Sequence, residues 1–157
     1  MSDIVLLAGM GFGNEGKGSI TDWLCSQGEY PLVVRYNGGP QTGHNVVTGG
    51  VTFCYSQFGS GAQAGARTHI SRFVYVNPIL ALNEGAELKS LGLTSIFQSL
   101  TVEDRAPIVT PFHVAANRIR ERARGDRAHG SAGQGVGETA RDVLAGDETL
   151  ILRAGDL

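Results

Sequence analysis

LLAGMGFGNEGKGS, residues Leu6 to Ser19, is the stretch on which the fold reading turns. Two phosphate-binding patterns overlap in it. Gly11, Gly13 and Gly16 fit the dinucleotide fingerprint GxGxxG, and Gly11, Gly16 and Lys17 fit the mononucleotide pattern GxxxxGK. The second pattern continues with Ser or Thr, whose hydroxyl binds Mg2+, and Gly18 stands there instead. In either pattern glycines let backbone N–H groups converge on phosphate oxygens, and the following helix N-terminus adds a positive field. Lys17 supplies the point charge a phosphate group needs. The plainer alternative is a tight strand-to-helix turn with no ligand.

Outward from this loop the chain reads as an α/β fold with a mostly parallel sheet and phosphate-binding loops at the strand C-termini. Ile4 to Ala8 is a short continuous apolar run, the pattern of a strand buried on both faces. After the glycines, Ile20, Trp23 and Leu24 fall on one helical face, and Gln27-Gly28 ends that helix. Pro31 to Tyr36 is the second strand, which predicts a parallel pair with the first through a right-handed crossover. A second Gly-rich loop runs from Asn37 to Asn45. Val46 to Phe58 predicts a hairpin turning at Gly49-Gly50. Phe73 to Val76 and Ala106 to Val109 are further strand candidates. Asn77 and Pro78 are the cap and first residue of a helix over Ile79 to Leu91. Phe112 to Arg124 is a helix with a basic exposed side, and a third Gly-rich loop spans Gly130 to Thr139.

Composition narrows the function classes. The chain has 157 residues, the length of one domain over residues 1–157, with no linker and no internal repeat. A net charge of −2 and a pI near 6.1 give no footprint for nucleic acid or an anionic membrane. The 23 glycines follow no period and sit in clusters between apolar runs, as backbone-led binding loops do. Cys25 and Cys54 lack CxxC spacing and any secretory signal, so the expectation is a cytoplasmic protein with two reduced thiols.

The nucleotide readings separate on one residue. A dinucleotide site wants an acidic residue about twenty positions on for the ribose hydroxyls. The second strand carries Arg35 and no Asp or Glu, which disfavours NAD and leaves NADP as a minor option. His44 lies after that strand, on the edge where parallel sheets bind ligands, and is read either as a phosphate-side residue or as a surface histidine. His69, His113 and His129 lack metal-ligand spacing and are read as solvated or core-satisfied. Arg118, Arg120, Arg122 and Arg124 read as a solvated helix face. The third loop is read as a second phosphate cradle or as an ordinary flexible loop.

Taken in order, GFGNEGKGSITDWL, VVRYNGGPQTGHNVV and GSAGQGVGET resemble the N-terminal part of the adenylosuccinate synthetase family. That family shows GDEGKGK, RY-x-GGHNAGHT and GTTGRGIGP loops, and ILRAGDL is similar to its chain shortly after the third. The resemblance implies a GTP-dependent, Mg2+-using, homodimeric ligase of purine nucleotide biosynthesis. Such enzymes phosphorylate the 6-oxygen of IMP and then displace the phosphate with the amino group of aspartate. By resemblance, Gly13, Asn14, Glu15, Gly16, Lys17, Gly18 and Ser19 wrap the GTP phosphates together with Gly43, His44 and Asn45. Gly43 offers its carbonyl to Mg2+, and His44 is the acid assisting γ-phosphoryl transfer. Asn14, Gln41, Ser131 and Ala132 take the purine monophosphate positions.

The departures carry as much information. Asn14 stands where the family has the Asp that takes a proton from N1 of IMP and ligates Mg2+. An amide has no usable basicity, though its carbonyl can still reach a metal as a weaker ligand. Ala132 replaces a Thr and Pro40 a His, and Asp142 to Leu150 offers no clean match for the Arg that reaches into a partner subunit. A branch of the family that also replaces the Asp uses dGMP on a route to 2-aminoadenine nucleotides, which is the alternative substrate. In the family the guanine- and aspartate-binding segments lie beyond the part resembled here. A truncated, non-catalytic GTP-binding fragment is therefore the third reading.

Overall fold

The computed structural model describes residues 3–157. A three-stranded parallel sheet has the order β1-β4-β5, with β1 Leu32–Arg35, β4 Arg67–Ile70 and β5 Leu100–Val102. A separate antiparallel hairpin joins β2 His44–Thr48 to β3 Val51–Tyr55. Gly49 and Gly50, at φ 59° and 81°, supply the two left-handed residues that a tight two-residue hairpin turn requires. The helices are α1 Lys17–Ser26, α2 Pro78–Ser90, α3 Pro111–Ala123 and α4 Val136–Ala145.

Local rules hold best at helix starts. Asn77 caps α2, its Oδ1 accepting from the Leu80 N–H at 3.2 Å, with Pro78 at the first helical position. Thr110 caps α3, which opens on Pro111. Two apolar clusters form the core. Val46, Phe53, Tyr55, Phe58, Leu88 and Ile96 pack the hairpin against α2, and Ile70, Val74, Val76, Ala106 and Ile108 fill the sheet side.

Four expectations are corrected. Ile4 to Ala8 forms no strand and does not pair with residues 31–36; Ile4 is 96% and Leu6 74% exposed. A strand buried on both faces needs neighbours on both sides, and among the described residues β1 pairs only with β4. The α1 face is also different: Ile20 and Trp23 are exposed, and Gly18 and Cys25 are buried. The helix meets β2 through Gly18, where a Cβ would lie 3.0 Å from His44 Cβ and 3.3 Å from the Asn45 carbonyl. Phe73 to Val76 and Ala106 to Val109 are not strands, and they meet only at a single parallel bridge, Val76 to Ile108. The third loop is shorter than expected, because Val136 to Thr139 already belong to α4. No helix among the described residues is long and apolar enough to cross a membrane.

Candidate nucleotide site

The loop between residue 9 and α1 is shaped by backbone that few side chains tolerate. Gly13 and Gly16 have φ of 108° and 70°, and Asn14, at 55°, is the one non-glycine described with positive φ. Asn is among the few residues that reach the left-handed region at small cost, so the geometry accounts for an Asn or Asp there as well as chemistry does. The Asn14 side chain is exposed and lines neither of the two cavities of the site.

The loop holds an anion of its own. The Glu15 carboxylate accepts from the Gly11 N–H and from Lys17 Nζ, the latter at 2.8 Å. These bonds, Lys17 first, hold its carboxyl below the ordinary range. Gly9 walls this pair in: a Cβ there would sit 2.2 Å from Glu15 Oε2 and 2.5 Å from Lys17 Nζ. A backbone N–H and an ammonium converging on carboxylate oxygens present the donor set a phosphate oxygen would use. Phosphate entry therefore competes with Glu15. Glu15→Gln is expected to tighten binding of a nucleoside triphosphate about two- to five-fold, since a partly exposed ion pair is what must be displaced. Calorimetry at matched Mg2+ checks this, and a weaker Kd would place Glu15 on the nucleotide itself.

The second loop meets the first across α1. His44 opens β2, half-buried against Gly18, and Ser19 Oγ reaches the Asn45 carbonyl at 3.4 Å. Burial, then Arg35, then Lys17 depress its pKa below the ordinary 6.5. Gly43 is packed on Cys54, whose Sγ would be 2.8 Å from a Cβ placed there. Lys17, Glu15, Gly13, His44 and Thr42 line one wide cavity of about 1410 Å3. Gln41, Ser131 and Ala132 line a second of about 300 Å3, with Asn117 and Gly135. The structure thus brings Gln41, from the second loop, to Ser131 and Ala132, from the third. It separates Asn14 from that group.

Two functional features had only a faint sequence signal. Arg35 is 7% exposed, and its guanidinium is spent on the chain: Nη1 donates to the Ser56 and Phe58 carbonyls and Nη2 to Thr42 Oγ1 at 3.0 Å. It is not available to a 2′-phosphate, which removes the basis of the NADP option. Facing it, the Glu84 carboxylate accepts three consecutive backbone N–H groups, Ser56 at 3.0 Å, Gln57 at 2.8 Å and Phe58 at 2.9 Å. Burial pushes the Glu84 carboxyl up, against those three bonds and Arg35, which pull it down. The other feature is Asn117 of α3, whose Oδ1 accepts from Ser131 Oγ at 3.1 Å and so fixes the third loop.

The remaining histidines are accounted for locally. His113 is buried: Thr110 N–H donates to its Nδ1 at 3.0 Å, so Nε2 carries the proton and donates to Asp142 at 3.0 Å, tying α3 to α4. His69 Nδ1 lies 2.9 Å from Thr101 Oγ1, and His129 is exposed. On α3, Arg120 pairs with Glu138 and Arg124 with Glu121. No group of three His, Cys, Asp or Glu gathers as a metal site among the described residues.

Comparison with known proteins finds relatives along the whole chain. The profile of the family described as Adenylosuccinate synthetase matches residues 6–153. The chain is 34% identical to the adenylosuccinate synthetase of Neisseria gonorrhoeae, the match covering 100% of this chain and 35% of that protein. It is 35% identical to that of Shewanella amazonensis, with the same coverage. Its fold is similar to that of a fully ligated adenylosuccinate synthetase from Plasmodium falciparum, with a TM-score of 0.75 and 22% identity over 91% of this chain and 32% of that one. The chain therefore spans about 35% of the length of the curated relatives it matches.

Proposed function

Because the chain belongs to the adenylosuccinate synthetase family, we propose that residues 1–157 form the nucleotide-binding part of a GTP-dependent ligase joining aspartate to the 6-position of a purine monophosphate. The backbone of Gly13 to Ser19 wraps the GTP phosphates with Gly43, His44 and Asn45, and Lys17 carries the charge once the Glu15 carboxylate has given it up. Gln41, Ser131 and Ala132 take the monophosphate. The observation that carries this reading is the pairing of two cavities, one on Lys17 and His44, the other on Gln41, Ser131 and Ala132. Mg2+ would enter with the nucleotide, held mainly by phosphate oxygens and water; Asn14 Oδ1 and the Gly43 carbonyl are the proposed protein donors, and neither residue lines a cavity in this structure. When bound, the ion neutralises phosphate charge. IMP is the proposed monophosphate and dGMP the alternative; in the complete ligase a homodimer is proposed.

Asn14 favours a second reading for this chain taken alone, binding without turnover. Its amide cannot accept a proton as the general base would. Calorimetry of the 157-residue chain with GTP and Mg2+, alone and with IMP or dGMP, tests the binding role; absence of a GTP signal would sink it. Phosphate release that requires both aspartate and nucleotide would overturn the binding-only reading.

His44 gives the site a pH signature. Its depressed pKa means the neutral ring is favoured in the folded chain. The unfolded state takes up the proton first, so the His44 contribution to stability is present above about 6.5 and lost as pH falls below it. A phosphate seated on Lys17 cancels part of the field that depresses the ring. GTP is therefore expected to move the His44 pKa upward, read from its ring resonances in an NMR titration. An unmoved pKa at saturating GTP would separate His44 from the phosphates.

A further inference from the structure

The second cavity is lined without a charge. Gln41, Asn117, Ser131 and Gln134 give it amide and hydroxyl groups, and Ala132 and residues 135–137 complete the wall. Asn117 is 9% exposed; its Oδ1 is taken by Ser131 Oγ, and its Nδ2 has no hydrogen-bond partner among the described residues. A buried amide with an unspent donor on a cavity wall is the mark of a place that takes an oxygen ligand. A phosphate monoester seated among neutral groups alone would leave water without a counter-charge, which is costly. The cation has to come from the rim.

Most arginines of the two helices beside this loop are already spent. Arg120 and Arg141 both donate to Glu138, at 2.6 and 2.7 Å. Arg124 pairs with Glu121, whose other oxygen accepts from the Ser131 N–H at 3.2 Å. Arg118 is different. It follows Asn117 in α3 and is exposed, and among the described residues its guanidinium meets no carboxylate and makes no hydrogen bond. Its side chain lies along Gly133: a Cβ there would be 3.5 Å from Arg118 Cγ and 3.5 Å from Arg118 Nε. Gly133 sits between Ala132 and Gln134, which both line the cavity. The guanidinium thus rests at the cavity rim with its fork of donors unspent.

We propose that Arg118 is the phosphate-binding cation of the second cavity, its guanidinium turning across Gly133 to take the phosphate of the purine monophosphate from within the same chain. The planar fork meets two phosphate oxygens at once and brings the charge that the amides of Gln41 and Asn117 lack. Asn117, one residue before it, anchors the third loop through Ser131. Helix α3 therefore delivers a loop anchor and a cation side by side. The inference deepens the reading of this cavity as the monophosphate site and rests on it; it is independent of the GTP assignment to the first loop.

Arg118→Met tests it, because Met keeps an apolar stem on Gly133 and removes the charge. Calorimetry of the 157-residue chain with IMP and with dGMP is expected to show Kd raised about 10-fold, with the Kd for GTP and the Tm near wild type. Arg118→Lys keeps the charge without the fork and is expected to recover part of the affinity. Wild-type affinity for the monophosphate should fall with added NaCl, and in Arg118→Met that dependence should flatten, which a merely structural role would not produce. Arg105→Met removes the same charge from an exposed position outside the cavity and is expected to match wild type. A monophosphate Kd unchanged in Arg118→Met, or raised equally in Arg105→Met, would overturn the proposal. So would a weaker Kd with an undiminished salt dependence. No monophosphate binding by the wild-type chain would instead sink the assignment of the cavity, and this inference with it.

Discussion

Glu84→Ala is expected to cost about 3–5 kcal/mol of folding stability, since three buried backbone N–H donors lose the charged acceptor they share, at about 1–3 kcal/mol for each donor left unsatisfied before relaxation. The reason is local and countable. Three backbone N–H groups, at Ser56, Gln57 and Phe58, lose their shared acceptor, and all three bonds lie within 3.0 Å. Arg35, 7% exposed, also loses the favourable field of the Glu84 carboxylate. For a chain of this size the loss corresponds to a fall in Tm of about 6–20 °C. Thermal unfolding followed by circular dichroism gives the value. Glu84→Gln keeps an acceptor but aims amide hydrogens at backbone N–H groups, so its loss falls between wild type and Glu84→Ala. Adding Arg35→Met to Glu84→Ala is expected to deepen the loss, because the Ser56 and Phe58 carbonyls and Thr42 Oγ1 then lose their donor as well. A fall under about 1 kcal/mol for Glu84→Ala would show that residues 56–58 are held some other way.

The 56–58 turn matters to the site because Arg35, which donates to the Ser56 and Phe58 carbonyls, also donates to Thr42 Oγ1, and Thr42 Oγ1 donates to the Gly39 carbonyl at 2.8 Å. One buried cation thus ties the end of β1 to the 56–58 turn and to the second loop. Glu84 touches no candidate ligand position, yet its loss loosens the loop that carries Gln41, Gly43 and His44.

What the sequence disclosed follows from the range of the interactions involved. Asn77-Pro78 and Gly49-Gly50 were legible because capping and hairpin turns are settled within four residues. The tight backbone of the first loop was legible because Gly13 and Gly16 act through the backbone that carries them. Glu84 was not: within LALNEGAEL it is one polar letter on a helix, and its burial comes from a turn 26 to 28 residues away. Strand β4, Arg67-Thr68-His69-Ile70, was masked by two polar residues that face outward while Thr68 and Ile70 are buried. The apolar run Ile4 to Ala8 predicted a strand buried on both faces and forms none. Pairing is a property of the whole sheet, and no strand among the described residues pairs with this run. The third loop was read four residues too long because Gly137 sits inside α4, where glycine is an uncommon helix residue.

Lys17→Ala is expected to raise the Kd for GTP about 10- to 100-fold. A hydrogen bond to a charged group contributes about 1.5–3 kcal/mol, and each 1.4 kcal/mol is a decade in affinity. Lys17 is the only Lys or Arg from Gly9 to Asp22, so the loop has no second cation to take its place. Its present partner, Glu15, is itself an anion seated on the loop, which shows that the ammonium is placed to meet one. Lys17→Arg keeps the charge but not the compact head that fits beside Gly9, where a Cβ would already lie 2.5 Å from Nζ, so only part of the affinity returns. Stability should change little, because the Lys17 and Glu15 side chains remain 33% and 26% exposed and such pairs contribute little. That contrast separates the two variants. Glu84→Ala should lower Tm strongly and affinity as a consequence, and Lys17→Ala should lower affinity at nearly unchanged Tm. A Kd for GTP unchanged in Lys17→Ala would remove the loop from the phosphates and, with it, the proposed nucleotide site.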